Sequence, residues 1–309
     1  VTPFRQPAFA ELPELPRVPH RFFDLEPRQI AVKPRWFGHG RPGGSINLVY
    51  RVCGAGPPLL LVHGLMTTGY SWRYVLDRFP GFTLYIPDLV GAGRSDKPDS
   101  LYAPDRVAEV ISDFIDALEI RGCAAIGNSM GGYLLMRLAL RDGTAMSRLS
   151  VLHAPGLRTP RMTALRAALR WLPRSESLLR ALVGRDPERW VHRNVHYYDE
   201  SLKSLEECRE YAAPLRTEAG LHALWRTLKE TLDPGDMDRF EMELRERGFP
   251  IPVQLVYARR DPMVPPSVGE RLRAWMPTAE WVWLEEASHF AHVDATDAFV
   301  AAVDPFIRR

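Results

Sequence analysis

The sequence predicts an α/β protein: a mostly parallel sheet flanked by helices, with a helical cap inserted late in the chain. Three observations lead there. Short apolar runs alternate with helix-patterned stretches of about 10–15 residues, the signature of a parallel sheet wrapped by helices. Several of the runs, such as PLLLV and QLVY, are apolar throughout, as strands buried on both faces are. One long stretch, 157–249, holds no comparable run and is far too long for a structureless loop in a compact domain.

Residues 1–45 are rich in proline and glycine and show little periodicity, which predicts an arm laid over the surface. Gly38, Gly40 and Gly43 spell G-x-G-x-x-G there. A dinucleotide fingerprint needs a strand before it and a helix after it. Here Pro42 interrupts the motif and a strand pattern, Ser45 to Val52, follows it, so a turn is expected. From Leu48 the strand-like runs are LVYRV, PLLLVHG, FTLYIPD, AAIGNS and LSVLHAP, with helical patterns near 70–78, 104–120 and 130–142. After the gap come PVQLVYA, a helix near 267–275, WVWLEE and a last helix near 294–307. The expected organisation is thus an arm (1–45), a core (46–156 plus 250–309) and a helical cap (157–249). In the cap, Met162, Leu165, Leu169 and Leu172 recur at helical spacing with Arg158, Arg161, Arg166 and Arg170 between them. Packing of that apolar stripe on the sheet is the expectation; the alternative, a lid over 158–172 that touches a lipid interface, needs a large apolar face exposed when open. Residues 157–195 hold nine arginines against three acids, and 196–249 hold eight basic residues against thirteen acids. Solvated helix faces account for such runs.

Composition narrows the function classes. Forty Lys plus Arg against 38 Asp plus Glu leave a net charge of +2, which argues against a broad nucleic-acid surface. Cys53, Cys123 and Cys208 form no C-x-x-C pair and are expected to be reduced thiols in a cytoplasmic protein. No apolar run reaches the roughly 18 residues of a membrane span, and the first residues lack the basic-then-apolar order of a secretory signal. His192 and His196 are four apart, yet a zinc site needs three or four ligands. No metal and no cofactor are expected.

The chemistry concentrates in Ala124–Tyr133, where a strand pattern runs through Gly127-Asn128-Ser129-Met130-Gly131 into an apolar helix. A serine hydroxyl attacks a carbonyl only if its proton is removed and the resulting oxyanion is stabilised. A sharp strand-to-helix turn lifts Oγ clear of the backbone and aims the next amide and the helix N-terminus at the site. Such a turn needs small residues two before and two after, which Gly127 and Gly131 supply.

At these residues the chain resembles the α/β-hydrolase superfamily, and further matches follow in that family's order. His63-Gly64 closes the strand PLLLV; IPDLVGAGRSDKP occupies 86–98; YARRDPMVP places Asp261 just past a strand; His289 lies in ASHFAHVD. The resemblance implies Ser129 as nucleophile, His289 as base, Asp261 as the acid that orients it, and the backbone N–H groups of Leu65 and Met130 as the oxyanion hole. His292 competes with His289, but Ala287 and Ser288 suit a short loop before the base. Asp294 and Asp297 compete with Asp261, but they fall at or in the last helix. His63 is expected to orient the oxyanion loop, Asp88 and Asp96 to fix loops, and Asn128 to bond neighbouring loops or substrate.

The resemblance extends to capped relatives that differ in chemistry. Haloalkane dehalogenases and epoxide hydrolases share features of the opening HGLMTTGYSW and of GRSDKP, but use an aspartate where this chain has Ser129. Meta-cleavage-product hydrolases, which cut C–C bonds, usually carry glycines after His-Gly, where this chain has Leu-Met-Thr-Thr. The expected activity is therefore hydrolysis of a small to medium apolar carboxylic ester. C–C hydrolysis, a lipase with a mobile lid, and a noncatalytic small-ligand receptor stand as alternatives. Met66, Tyr133, Trp190, Val264 and Phe290 are the expected substrate contacts, with Trp171 and Trp225 from the cap. The expected partner is a small apolar substrate, with no nucleic acid.

Overall fold

The computed structural model describes residues 2–34, 44–99, 102–172 and 174–309. The glycines at 38, 40 and 43 lie outside the described residues. Eight strands are described: β1 (Arg28–Val32), β2 (Ile46–Gly54), β3 (Pro58–Val62), β4 (Thr83–Pro87), β5 (Cys123–Asn128), β6 (Met146–Leu152), β7 (Val253–Ala258) and β8 (Glu280–Leu284). They form one sheet in the order β1-β2-β4-β3-β5-β6-β7-β8. β1 and β2 run antiparallel to their neighbours and the remaining pairs are parallel. The arm expected over 1–45 therefore contributes a strand, β1. Only its inner end is buried, and an edge strand exposed on most positions carries little of the apolar alternation that reveals a strand.

Side chains alternate across the sheet, as a two-residue period requires. Leu60 and Val62 enter one core layer, beneath α1 (Pro104–Ala117) and α2 (Met130–Arg141). Leu59 and Leu61 enter the other layer, which holds Phe299 and Val303 of the C-terminal helix Thr296–Ile307. Burial of Val107, Val110, Ile111, Phe114 and Ile115 on α1 repeats every three to four residues, and Pro104 starts that helix at its first position. Near 70–78, where a helix is expected, the chain makes only a 3-10 turn, Gly69–Trp72. The Asp88 carboxylate accepts the Gly69 amide (2.8 Å) and the Arg94 amide (2.9 Å), tying this turn to the loop after β4.

Between β6 and β7 lie α3 (Pro160–Trp171), α4 (Ser175–Gly184), α5 (Pro187–Asn194), α6 (Leu205–Ala212), α7 (Glu218–Glu230) and α8 (Pro234–Arg247). A buried ionic cluster fastens this segment to the sheet. Arg73, beside the 3-10 turn, pairs with Glu207 of α6, and both side chains are fully buried. Tyr197 donates its hydroxyl to Glu207 (2.8 Å). Next to it, Glu206 accepts the Tyr70 hydroxyl (2.6 Å) and lies 2.8 Å from His20 Nε2 of the arm. Removing one member strands a charge in a dry interior, at a cost of about 3–5 kcal/mol. Glu207→Gln is therefore expected to lower unfolding stability in urea by about that amount, whereas Arg73→Met with Glu207→Leu recovers most of it. Equal losses in the two variants would show that packing, not the stranded charge, sets the cost.

Candidate active site

Four strand ends converge on Ser129. In the sheet Val62 and Val151 flank Gly127 on either side. His63-Gly64 thus leaves β3 on one side of the serine, and His153 leaves β6 on the other. Ser129 has φ 52° and ψ −121°, outside the regions open to an ordinary L-residue. Holding such a conformation costs about 1–3 kcal/mol and needs over-determining surroundings. The glycines supply them. A Cβ at Gly127 meets Gly132 Cα at 2.6 Å, one at Gly131 meets the His63 carbonyl at 2.4 Å, and one at Gly64 meets Ser129 Cβ at 3.0 Å. Met66 (φ 63°) and His153 (φ 51°) are also left-handed, so backbone strain gathers around this serine. Met130 opens α2, where helical amides have no partner inside the helix.

Asp261 follows β7 and His289 follows β8. Their side chains meet at 2.7 Å between Oδ2 and Nδ1. The other carboxylate oxygen accepts the amides of Met263 (2.7 Å) and Val264 (2.9 Å). Burial alone pushes this carboxyl up, but the His289 charge and hydrogen bond, with the Val264 amide, outweigh it and hold Asp261 below the usual carboxylate range. With Nδ1 bonded to the aspartate, Nε2 is the ring nitrogen left without that partner. Asn128, beside the serine, donates Nδ2 to the His289 carbonyl (3.0 Å), so one residue locks the His289 loop to the strand that carries Ser129. His63 orients the loop after β3: Nε2 accepts the Leu89 amide (2.9 Å) and Nδ1 lies 2.8 Å from the Gly64 carbonyl. Among the described residues Ser129 Oγ makes no side-chain hydrogen bond, and such contacts are often loose before substrate arrives.

A cavity of about 50 Å³ adjoins the turn, lined by Leu65, Met66 and Met130 from below and by Tyr211, Leu215 and Leu224 from above. Of the expected substrate contacts Met66 is there. The others are elsewhere. Tyr133 is fully buried and donates its hydroxyl to Asp236 (2.5 Å), so it ties α2 to α8. Val264 works through its amide on Asp261. Phe290 packs edge-on against His289 (ring centroids 5.2 Å) and Tyr197 (5.7 Å), which steadies the His289 ring. Trp190 packs, partly buried, against that same core layer. Trp225 donates to Ser175 Oγ (3.3 Å), and Trp171 is 76% exposed. Helical periodicity placed these aromatics in the cap but gave no rotational setting for the helices that carry them.

The rivals have other roles. Asp294 accepts the amides of Tyr198 (2.7 Å) and Ser288 (3.2 Å), fixing the loop that bears His289, and Asp297 is paired with Arg78 at the surface. His292 is fully buried and lies against Trp72 with ring centroids 4.3 Å apart. His153, which the sequence reading passed over, is equally buried and 5.6 Å from the His289 ring. Its signal was a polar residue ending an apolar strand next to the strand that leads into Ser129. Burial pushes the His153 imidazole down to about 3 and drives His292 well below its ordinary value. Both stay neutral in the fold, while in the unfolded chain they take up protons below about pH 6.5. Stability is then highest above that pH and falls as pH drops through it, because the unfolded chain binds more protons. His292→Phe is expected to make the decline in urea midpoint between about pH 7 and 5 shallower. Parallel declines in both proteins would place the acid sensitivity elsewhere.

His153, Asp261 and His289 are the group of ligand-type side chains, among the described residues, close enough to share a metal ion. The Asp261 oxygens are already committed to His289 and two amides. His192 instead has Nε2 3.1 Å from the Pro7 carbonyl, and His196 has Nδ1 3.0 Å from Gln6, so that pair holds the arm.

Residues 59–302 match the model of the alpha/beta hydrolase family. The chain is 25% identical over 264 residues to a 2-hydroxymuconate semialdehyde hydrolase of Pseudomonas sp. (strain CF600), covering 82% of this chain and 88% of the other. It is 27% identical over 288 residues to haloalkane dehalogenase 2 of Mycobacterium tuberculosis, covering 91% and 97%. In three dimensions it is similar to a thermophilic esterase from Thermogutta terrifontis, with a TM-score of 0.66 at 17% identity over 91% of this chain and 98% of that one. The fold, the order of its strands and the family match over most of the chain agree: this protein belongs to the alpha/beta hydrolase family.

Proposed function

We propose that the protein is a serine hydrolase that cleaves carboxylic esters of small apolar acids through an acyl-enzyme. His289 takes the Ser129 proton as Oγ attacks the ester carbonyl, and Asp261 holds the imidazole tautomer and stabilises the imidazolium. The amides of Leu65 and Met130 receive the oxyanion; one such donor is typically worth about 3–4 kcal/mol. The alcohol leaves with the proton from His289, and water, activated by the same histidine, releases the acid. Residues 157–249 act as a cap whose α6 and α7 roof the pocket. The observation that carries this reading is the strained serine at a strand-to-helix turn after β5, with a bonded Asp261–His289 pair at the same end of the parallel strands, after β7 and β8.

Halide displacement does not fit. It requires a carboxylate whose alkyl ester water can hydrolyse, whereas Ser129 would leave an inert ether. C–C hydrolysis is the second reading, supported by the Pseudomonas relative; turnover of a vinylogous diketone with none of any ester would establish it. Ligand binding without turnover would point to a receptor.

The cavity beside Met130, about 50 Å³, is smaller than the roughly 300–1,000 Å³ of ordinary ligand pockets; taken as the acyl site next to Ser129, it favours short acyl chains. On p-nitrophenyl esters from acetyl to palmitoyl, kcat/KM should peak at acetyl to butyryl. Leu224→Ala, which removes part of the roof, should move the peak to longer chains. A wild-type optimum at long chains would mean that the roof lifts during turnover.

A further inference from the structure

We propose that α3 and α4 form a docking surface for an anionic lipid bilayer. Of the stripe expected to pack on the sheet, Met162 alone reaches the sheet's core, Leu169 is buried, and Leu165 and Leu172 are exposed; most of the large apolar side chains of these two helices face outward. Leu165 is 40% exposed, Trp171 76% and Leu172 47% on α3 and its end, and Leu178 48% and Leu182 64% on α4, one turn apart. Two packed neighbouring helices that both present leucines to water form a patch of the kind that marks an interaction site.

Charge identifies the occupant. Residues 157–185 contain seven arginines and a single acid, Glu176. Arg158, Arg166 and Arg180 are paired with Asp238, Asp233 and Glu176. Arg161, Arg174 and Arg185 are exposed and have no ion pair among the described residues. Arg170 lies over the Trp171 ring at 5.5 Å. Exposed tryptophan and leucine beside unpaired arginine is the composition of a helix lying in a bilayer interface, apolar side chains at the acyl boundary and cations among the phosphates. A second copy of this chain fits poorly, because a two-fold contact through this face sets the same arginines against one another.

The surface also connects to the pocket. α3 and α4 both pack on α7, and Leu224 and Thr227 of α7 line the cavity. A bilayer bound at α3 and α4 therefore touches the helix that roofs the site. This inference stands apart from the ester reading, since adsorption is measured without any turnover.

The test is co-sedimentation of the full chain with vesicles of phosphatidylcholine alone or with about 30% phosphatidylglycerol. Wild type is expected to bind the anionic vesicles, to release at high salt, and to leave the neutral ones largely unbound. Trp171→Ser with Leu182→Ser, and separately Arg161→Glu with Arg185→Glu, should each lower the partition coefficient by roughly tenfold or more. All these side chains are exposed and outside the catalytic machinery, so fold and hydrolysis of a water-soluble ester should be unchanged. Absence of wild-type binding, equal binding to neutral vesicles, or undiminished binding by both variants overturns the proposal. So does a dimer in sedimentation velocity that dissociates in Trp171→Ser with Leu182→Ser, which would make the face a contact between copies.

Discussion

Ser129→Ala is expected to lower kcat for ester hydrolysis by about 10⁴–10⁶-fold, leaving at most the residual rate that binding and an oxyanion hole supply without a nucleophile. The cause is chemical rather than structural. The Ser129 side chain makes no hydrogen bond among the described residues, and its amide on the Leu152 carbonyl (2.7 Å) survives the change. Stability should therefore stay close to wild type. Ser129→Gly sharpens the contrast: glycine accepts φ near 52° without steric cost, so that variant should be equally inactive yet more stable by about 1 kcal/mol. An inactive variant that is also unfolded would remove the support for a strained, functional turn.

Asp261→Asn comes next in size, with an expected loss of about 10⁴-fold in kcat. The amide oxygen can still accept the Met263 and Val264 amides, so the loop keeps its shape. Its NH₂ now faces the Nδ1 that the carboxylate bonded, which turns His289 into the wrong tautomer and leaves the imidazolium unsupported. The native carboxyl is held below its usual range, so its contribution to stability is present above about pH 4 and is lost as pH falls further. The Asp261→Asn variant lacks that dependence, because its side-chain amide does not titrate. Comparing kcat with KM separates this from a binding defect: KM should change little.

Much of this site was legible because it depends on local rules. The Gly127-x-Ser129-x-Gly131 turn is dictated by sterics within five residues, and the contacts that a Cβ would make at Gly127 and Gly131 bear out that requirement. The strands on either side are runs buried on both faces, which read plainly. What stayed hidden depends on facing directions and distant partners. β1 sits at an edge where most of its side chains meet solvent, so it lacks the expected alternation. Tyr133 follows Ser129 by four residues in sequence, but helical geometry turns it toward Asp236, 103 residues away. The apolar stripe of α3 has helical period, yet period alone does not say whether core or solvent lies opposite it; Leu169 and Trp171, two residues apart, end on different sides. The Arg73–Glu207 pair joins residues 134 apart, and no spacing rule links them.

The central claim, that Ser129 is an activated nucleophile, is tested most directly by reaction with a p-nitrophenyl dialkyl phosphate followed by intact-mass and peptide mass spectrometry. One dialkylphosphoryl group per chain, on the peptide carrying Ser129, is expected. The adduct should form in step with loss of esterase activity, be absent from Ser129→Ala, and form far more slowly in Asp261→Asn. Labelling at another residue, or full ester turnover by a chain that takes no label at Ser129, would contradict it.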